Sequence, residues 1–262
     1  MYALERHDSI TDLLRAEGRV VVADLAARFD VTTETIRRDL DALEQAGRLQ
    51  RVHGGAVASG HTSVAELSFA ERQEQQTPGK TAIARAAARL VPPTFVGSVA
   101  LDAGTTTAAI AQELASWEPE TPGGHLTVIT NAVPIAALLQ QSPHIELHLL
   151  GGRVRGLTSA AVGSATVDQI AGLRPDIAFV GANGVSAGFG LSTPDELEGA
   201  VKAAYLRAAR RAVAVVDATK HGAEALVRFG RLDEIDTVIT DQAPGADLAR
   251  ALADSDVEVI VA

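Results

Sequence analysis

The chain has 262 residues, 47% of them hydrophobic, enough for one large core or two smaller ones. Its 33 Asp and Glu outweigh 23 Lys and Arg, a net charge of −10, so it is no general polyanion binder and any contact with nucleic acid must be local. It contains no cysteine, which excludes disulfides and thiolate metal sites, and its 3% aromatic content argues against base-stacking platforms for single strands.

Residues 1–57 form a first expected domain, helical in pattern and ending in a hairpin. Val22, Leu25, Ala26 and Phe29 repeat at i, i+3, i+4 and i+7, which predicts a helix over Val22–Phe29. Asp30, Val31 and Thr32 make a turn, with Thr32 the expected N-cap of a second helix. On that helix Ile36, Leu40 and Leu43 share a face. Glu34, Thr35, Arg37 and Arg38 fall on or beside the opposite side, near the N-terminal end. In a helix-turn-helix that end of the second helix meets base edges in the major groove, where arginine can grip guanine O6 and N7. Arg51 and His53 flank a Gly54-Gly55 hairpin that reads as a wing touching phosphate. A helical bundle with solvated arginines has the same periodicity, and residues 1–56 hold more carboxylates than cations. The residue pattern alone leaves both readings open.

Residues 58–79 are polar and loop-like, the expected linker, with room for a short helix over 64–75. Residues 80–262 alternate between helical periods and short apolar runs. Helices are predicted at 80–90, 106–115, 134–140, 165–172, 196–211 and Ala246–Asp254. Strands are predicted at Ser98–Leu101, Leu126–Thr130, 146–150, Ile177–Gly181, 212–216, Thr237–Thr240 and 257–261. This alternation implies βαβ units and a mostly parallel α/β sheet.

Asp102, Gly104, Thr105, Thr106 and Thr107 lie where an apolar strand passes into a helix. Free backbone N–H groups and the helix dipole suit such a point to an anion, phosphate above carboxylate, although a plain helix cap gives the same string. No Gly-Lys-Ser/Thr follows, so it is not a Walker A loop. Asn131, Gly151-Gly152, Asn183-Gly184 and Lys220 follow other predicted strands, and ligands of open α/β sheets sit beyond strand carboxyl ends. Glu196, Glu198 and Lys202 open a helix. Their plain reading is a solvated first turn with a Glu198–Lys202 pair at i, i+4. His144 and His148 are four apart, but residues 145–150 read as a strand rather than a helix, so that spacing does not gather them, and no zinc signature and no cofactor is expected.

The stretch TIRRDLDALEQAGRLQRVHGGA, with Glu5-Arg6 and Gly18-Arg19-Val20 before it, resembles the winged helix-turn-helix signature of the DeoR family of bacterial regulators. The resemblance places Thr33, Thr35, Arg37 and Arg38 at double-stranded operator DNA, with Arg51 and His53 in the wing. LDAGTTT, VITN, LLGG, DIAFVGANGVS, GLSTPDELEGAVK, VDATKHG and VITD follow in that family's order, so the likeness spans nearly the whole chain. It implies a sensor similar to ribose-5-phosphate isomerases that binds a phosphorylated sugar or polyol through Asp102, Gly104, Thr105, Thr106, Thr107, Asn131, Gly152, Glu196 and Lys220. Family members carry Glu-Lys where this chain has Gly79-Lys80, and often Ser-Lys where it has Thr219-Lys220. Met1-Tyr2-Ala3 with Glu5-Arg6, and LSTPDELEGAVKAA, are most similar to an actinobacterial branch controlling fructose uptake, which favours a fructose phosphate effector.

The expectation is a repressor of sugar uptake or catabolism genes, homo-oligomeric as a dimer or tetramer. The rival is an aldose–ketose isomerase, which needs a positioned carboxylate base. Asp102 and Glu196 are its candidates. The isomerases' Lys-x-Gly-Gly-Gly segment before that base is absent here, so no catalysis is expected. No apolar run of spanning length and no signal-peptide opening occur, and a cytoplasmic chain without a membrane partner is expected.

Overall fold

The structure, a computed structural model, describes residues 3–17, 19–45, 49–52, 55–58, 66, 68–75 and 77–262. It divides into two compact units, Met1–Ala65 and Glu66–Ala262.

The first unit runs α1 (Ala3–Glu17), β1 (Arg19–Val21), α2 (Val22–Phe29), α3 (Thr33–Gln45), β2 (Leu49–Val52) and β3 (Gly55–Ala58). β1, β3 and β2 form a three-stranded antiparallel sheet in that order. The predicted apolar stripes become its core: Val22, Leu25 and Ala26 of α2 meet Ile36, Leu40 and Leu43 of α3, closed by Ile10 and Leu14 of α1. Asp30 ends α2 in the left-handed conformation, φ 50°. The hydroxyl of Thr32 then accepts the Thr35 N–H at 3.2 Å, the cap expected of it. A Cβ at Gly55 would lie 2.0 Å from the Val20 carbonyl oxygen, so only glycine lets β3 approach β1 this closely.

The second unit runs α4 (Phe69–Glu74), α5 (Thr77–Ala88), β4 (Ser98–Leu101), α6 (Thr105–Leu114), β5 (Leu126–Thr130), α7 (Val133–Leu139), β6 (Ile145–Leu149), β7 (Arg153–Arg155), β8 (Ala160–Val162), α8 (Ser164–Ala171), β9 (Ile177–Gly181), β10 (Gly184–Ser186), β11 (Gly190–Thr193), α9 (Glu196–Ala208), β12 (Arg211–Val215), β13 (Val227–Gly230), β14 (Thr237–Thr240), α10 (Ala246–Asp254) and β15 (Glu258–Val261). Seven strands form one wholly parallel sheet, ordered β15-β14-β12-β9-β4-β5-β6. Every residue of β9 is buried, as befits a central parallel strand covered on both faces. From β4 the chain winds outward through β5 and β6, then returns to β4's other side with β9. The crevice beyond the carboxyl ends of β4 and β9 is therefore the topological switch point, where this architecture holds ligands.

Two features depart from the expected layout. Glu66 and Ser68–Gln75, expected in the linker, belong to the second unit, as do the first residues of α5. Two small antiparallel sheets, β7-β8 and β10-β11-β13, escape sequence reading because their strands are three or four residues long and carry no sustained alternation.

Candidate functional site

In the first unit, α3 presents Thr33, Arg37 and Arg38 to solvent while Thr35 is half-buried beside its cap. The Arg37 and Arg38 side chains are 54% and 79% exposed and lean on Glu34 at 3.7 and 3.5 Å. Ion pairs this long and this solvated contribute little, about 0–1 kcal/mol each, so the contacts to Glu34 can be exchanged for a stronger anion. Behind them Asp39 is buried and holds α1 to α3. Its carboxylate accepts both Nε and Nη2 of Arg6, at 2.5 and 3.0 Å, and lies 2.9 Å from His7 Nε2. Arg51 lies on β2 opposite Ala56 of β3. His53 lies outside the described residues.

In the second unit a crevice opens at the switch point. Gly104, Thr105 and Thr106 line it from the start of α6, Gly181, Ala182 and Asn183 from the end of β9, and Val215 to Asp217 with Lys220 from the end of β12. Arg72 and Gln75 of the α4 segment, Lys80 of α5 and Lys202 of α9 complete the wall. The amides of residues 105–107 are the first of α6 and by helix geometry have no intrahelical acceptor. Arg72, Lys80, Lys202 and Lys220 thus surround a helix N-terminus, with Asp217 as the one carboxylate in the wall among the described residues, in a chain that is acidic overall. Such a concentration of cations and amide donors is complementary to a multiply charged oxyanion.

Lys80 is 7% exposed. Its ammonium donates to the Gln75 carbonyl at 2.6 Å and to that of Arg72, tying α5 to the end of α4. Burial lowers its pKa to about 8, partly offset by Asp217 and reinforced by Lys220 and Arg72. The departure at position 79 has a steric companion: a Cβ there would lie 2.5 Å from the Asp241 carboxylate.

The expected site residues separate into three groups. Gly104, Thr105, Thr106 and Lys220 line the crevice. Asp102 and Thr107 lie beneath it as its frame: Asp102 accepts the Gly181 N–H at 3.0 Å and the Lys202 ammonium, and Thr107 Oγ1 lies 2.9 Å from its other oxygen. Asn131, Gly152 and Glu196 are not among the lining residues. Asn131 donates to the Ala161 carbonyl and accepts from Tyr205, a buried phenol whose pKa is raised by desolvation. Gly152 approaches Thr166 so closely that a Cβ would lie 2.2 Å from its hydroxyl. Glu196 is exposed. The expected Glu198–Lys202 pair does not form, because both side chains are buried and each finds a tertiary partner: Glu198 takes Arg155 and Thr158, Lys202 takes Asp102. Arg72, Lys80, Lys202 and Asp217 were not singled out as site residues from sequence, since they reach the crevice from four separate segments.

Residues 6–62 match the DeoR-like helix-turn-helix domain, and residues 75–242 match the DeoR C terminal sensor domain. The chain belongs to the DeoR family. It is 31% identical to the HTH-type transcriptional repressor CsqR of Escherichia coli, over 98% of this chain and 94% of that protein. It is 38% identical to the regulator YgbI of the same organism, over 100% and 99%, and 30% identical to the Escherichia coli glycerol-3-phosphate regulon repressor, over 99% of each. Among solved structures it is similar to ribose 5 phosphate isomerase A from Neisseria gonorrhoeae, at 12% identity and a TM-score of 0.38, over 55% of this chain and 53% of that one. As a DeoR-family chain it is a DNA-binding regulator rather than an enzyme. Among the described residues no group of three or more His, Asp or Glu is placed to hold a metal ion, and no helix is long and apolar enough to cross a membrane.

Proposed function

We propose that this DeoR-family regulator represses genes of sugar or polyol catabolism and is released from its operator by a phosphorylated sugar or polyol bound at the switch-point crevice. The observation that carries the reading is the cation-ringed start of α6. Gly104, Thr105, Thr106 and Lys220 receive the phosphate, with Lys80 and Lys202 behind them. Relatives named for glycerol-3-phosphate regulons in Escherichia coli and Haemophilus influenzae favour a small polyol phosphate. The fructose phosphate alternative rests on the chain's opening residues and the α9 segment. The exposed face of α3, with Thr33, Arg37 and Arg38 and the half-buried Thr35 beside them, enters the major groove, and Arg51 and His53 of the wing approach phosphate. The regulator acts as a homo-oligomer on repeated half-sites, and the effector shifts its equilibrium by binding one arrangement more tightly than another.

The test is a thermal-shift panel on the full chain with glycerol 3-phosphate, fructose 1-phosphate, fructose 6-phosphate and their unphosphorylated parents. A ligand at a hundredfold excess over its Kd adds about 2.7 kcal/mol to the state that binds it. Stabilisation by one phosphorylated compound, absent with its parent and reduced in Lys220→Ala, supports the reading. A panel with no response from any phosphorylated member contradicts it.

A further inference from the structure

Among the described residues, three buried side-chain polar atoms have no hydrogen-bond partner: one oxygen of Glu66, and Nε and Nη2 of Arg72. Buried polar groups in folded proteins are almost always paired, so two orphaned donors on Arg72, a residue that lines the crevice, call for a ligand. The chemistry of that ligand follows from the pair of nitrogens. Nε–H and Nη2–H point the same way and match two oxygens of one carboxylate or phosphate. The same chain shows the fork in use, since Arg6 grips both oxygens of Asp39 with these two nitrogens. Around Arg72 the other walls are Lys80, Lys220 and the start of α6, which favours a dianion.

Arg72 also sits on a short and distinctive element. α4 is closed at its start by a capping box, with Ser68 N–H donating to Glu71 at 2.8 Å, and pinned there by Phe69 N–H to the Leu157 carbonyl at 2.8 Å. At its other end the carbonyls of Arg72 and Gln75 rest on Lys80. Along the chain, α4 is the first helix of the second unit after the end of the first unit at Ala65.

Resting on the proposed phosphate site, we propose that Arg72 is a two-pronged ligand of the effector's phosphate, and that its engagement fastens α4 to the occupied crevice. The effector would then act first on the helix through which the chain leaves the DNA-reading unit.

The experiment uses the full chain labelled with 15N-arginine, with inorganic phosphate and then glycerol 3-phosphate as probes. The Arg72 Nε–H signal is assigned from its loss in whichever of R72K and R72M folds. The expected result is a shift of that signal on phosphate addition, phosphate affinity at least tenfold weaker in the variant, and slower hydrogen exchange at amides 69–75 in the wild-type protein only. If the wild-type protein binds phosphate and K220A weakens it, while the Arg72 signal stays still and the Arg72 variant binds as the wild type does, the Arg72 assignment is overturned and the site reading survives. If exchange at 69–75 slows equally in the variant, the fastening of α4 is overturned. If neither probe nor any phosphorylated member of the panel binds the wild-type protein, the site reading and the Arg72 assignment fail together.

Discussion

The Lys202 ammonium is seated on the Asp102 carboxylate beneath the crevice, with the two side chains 7% and 1% exposed. The Gly181 amide also donates to Asp102, and Lys202 donates to the Gly181 carbonyl at 3.0 Å. The pair therefore clips α9 to the ends of β4 and β9, and it binds up the carboxylate that a proton-transferring enzyme would need free. Removing one member of such a pair leaves a buried charge uncompensated, at a cost of about 3–5 kcal/mol. Lys202→Met should lower stability to urea by that order, and Asp102→Asn with Lys202→Met together should recover part of the loss. A single variant as stable as the wild type would show that the clip does not hold the crevice.

Arg38→Ala should leave the first unit folded, because the side chain is 79% exposed and lies outside the core. Operator binding should weaken by about 1–3 kcal/mol, with specificity relaxed at one base pair, if the guanidinium reads a guanine edge. Binding titrations against the operator and its single-base variants measure both. Equal affinity and equal selectivity in the variant would remove α3 from the groove.

Arg6→Met removes the two-pronged guanidinium partner of the buried Asp39, where α1 meets α3, and leaves the carboxylate with the His7 ring at 2.9 Å. It should destabilise that unit by about 3–5 kcal/mol and weaken operator binding without altering effector affinity measured on the same chain. Urea unfolding followed with a probe in each unit, together with the two titrations, separates these effects. An unchanged midpoint for the first unit would contradict the role given to Asp39.

Lys80 should make effector affinity depend on pH. Burial lowers its pKa to about 8, so it is protonated at neutral pH and loses its charge as pH rises through that value. A phosphate monoester, with a second pKa of about 6, is mostly dianion at pH 7, and its remaining ionisation above that works against the fall rather than causing it. Affinity for glycerol 3-phosphate should fall between about pH 7 and 9 in the wild-type protein and stay flat in Lys80→Met. Calorimetric titration across that range gives the slope. A flat wild-type profile would show that Lys80 does not contribute its charge to the phosphate.

How far the sequence showed the site depends on how each residue reaches it. Gly104, Thr105, Thr106 and Lys220 were legible because each follows a predicted strand, and strand ends converge in this architecture. Asn131 also follows a strand, yet its amide turns to Ala161 and Tyr205, a choice made by tertiary packing. Lys202 was hidden because helical spacing offered it Glu198, four residues earlier, while burial on α9 gives it Asp102, a hundred residues earlier. Arg72 had only a faint signal. The Ser68-x-x-Glu71 box marks the start of α4, but nothing in a polar stretch announces that it folds onto the sensor unit. The main sheet was readable from its apolar runs, whereas β7, β8, β10, β11 and β13 are too short to carry a period.

If an anion in the switch-point crevice controls DNA binding, effector must release the operator. Full-length protein on its operator is titrated with glycerol 3-phosphate, fructose 1-phosphate and fructose 6-phosphate, alongside Lys220→Ala at the same concentrations. One phosphorylated compound should release the wild-type protein, its unphosphorylated parent should not, and Lys220→Ala should stay bound until the compound is raised at least tenfold. Release by the parent compound, or release of Lys220→Ala at the wild-type concentration, would show that the crevice does not control DNA binding through a bound phosphate.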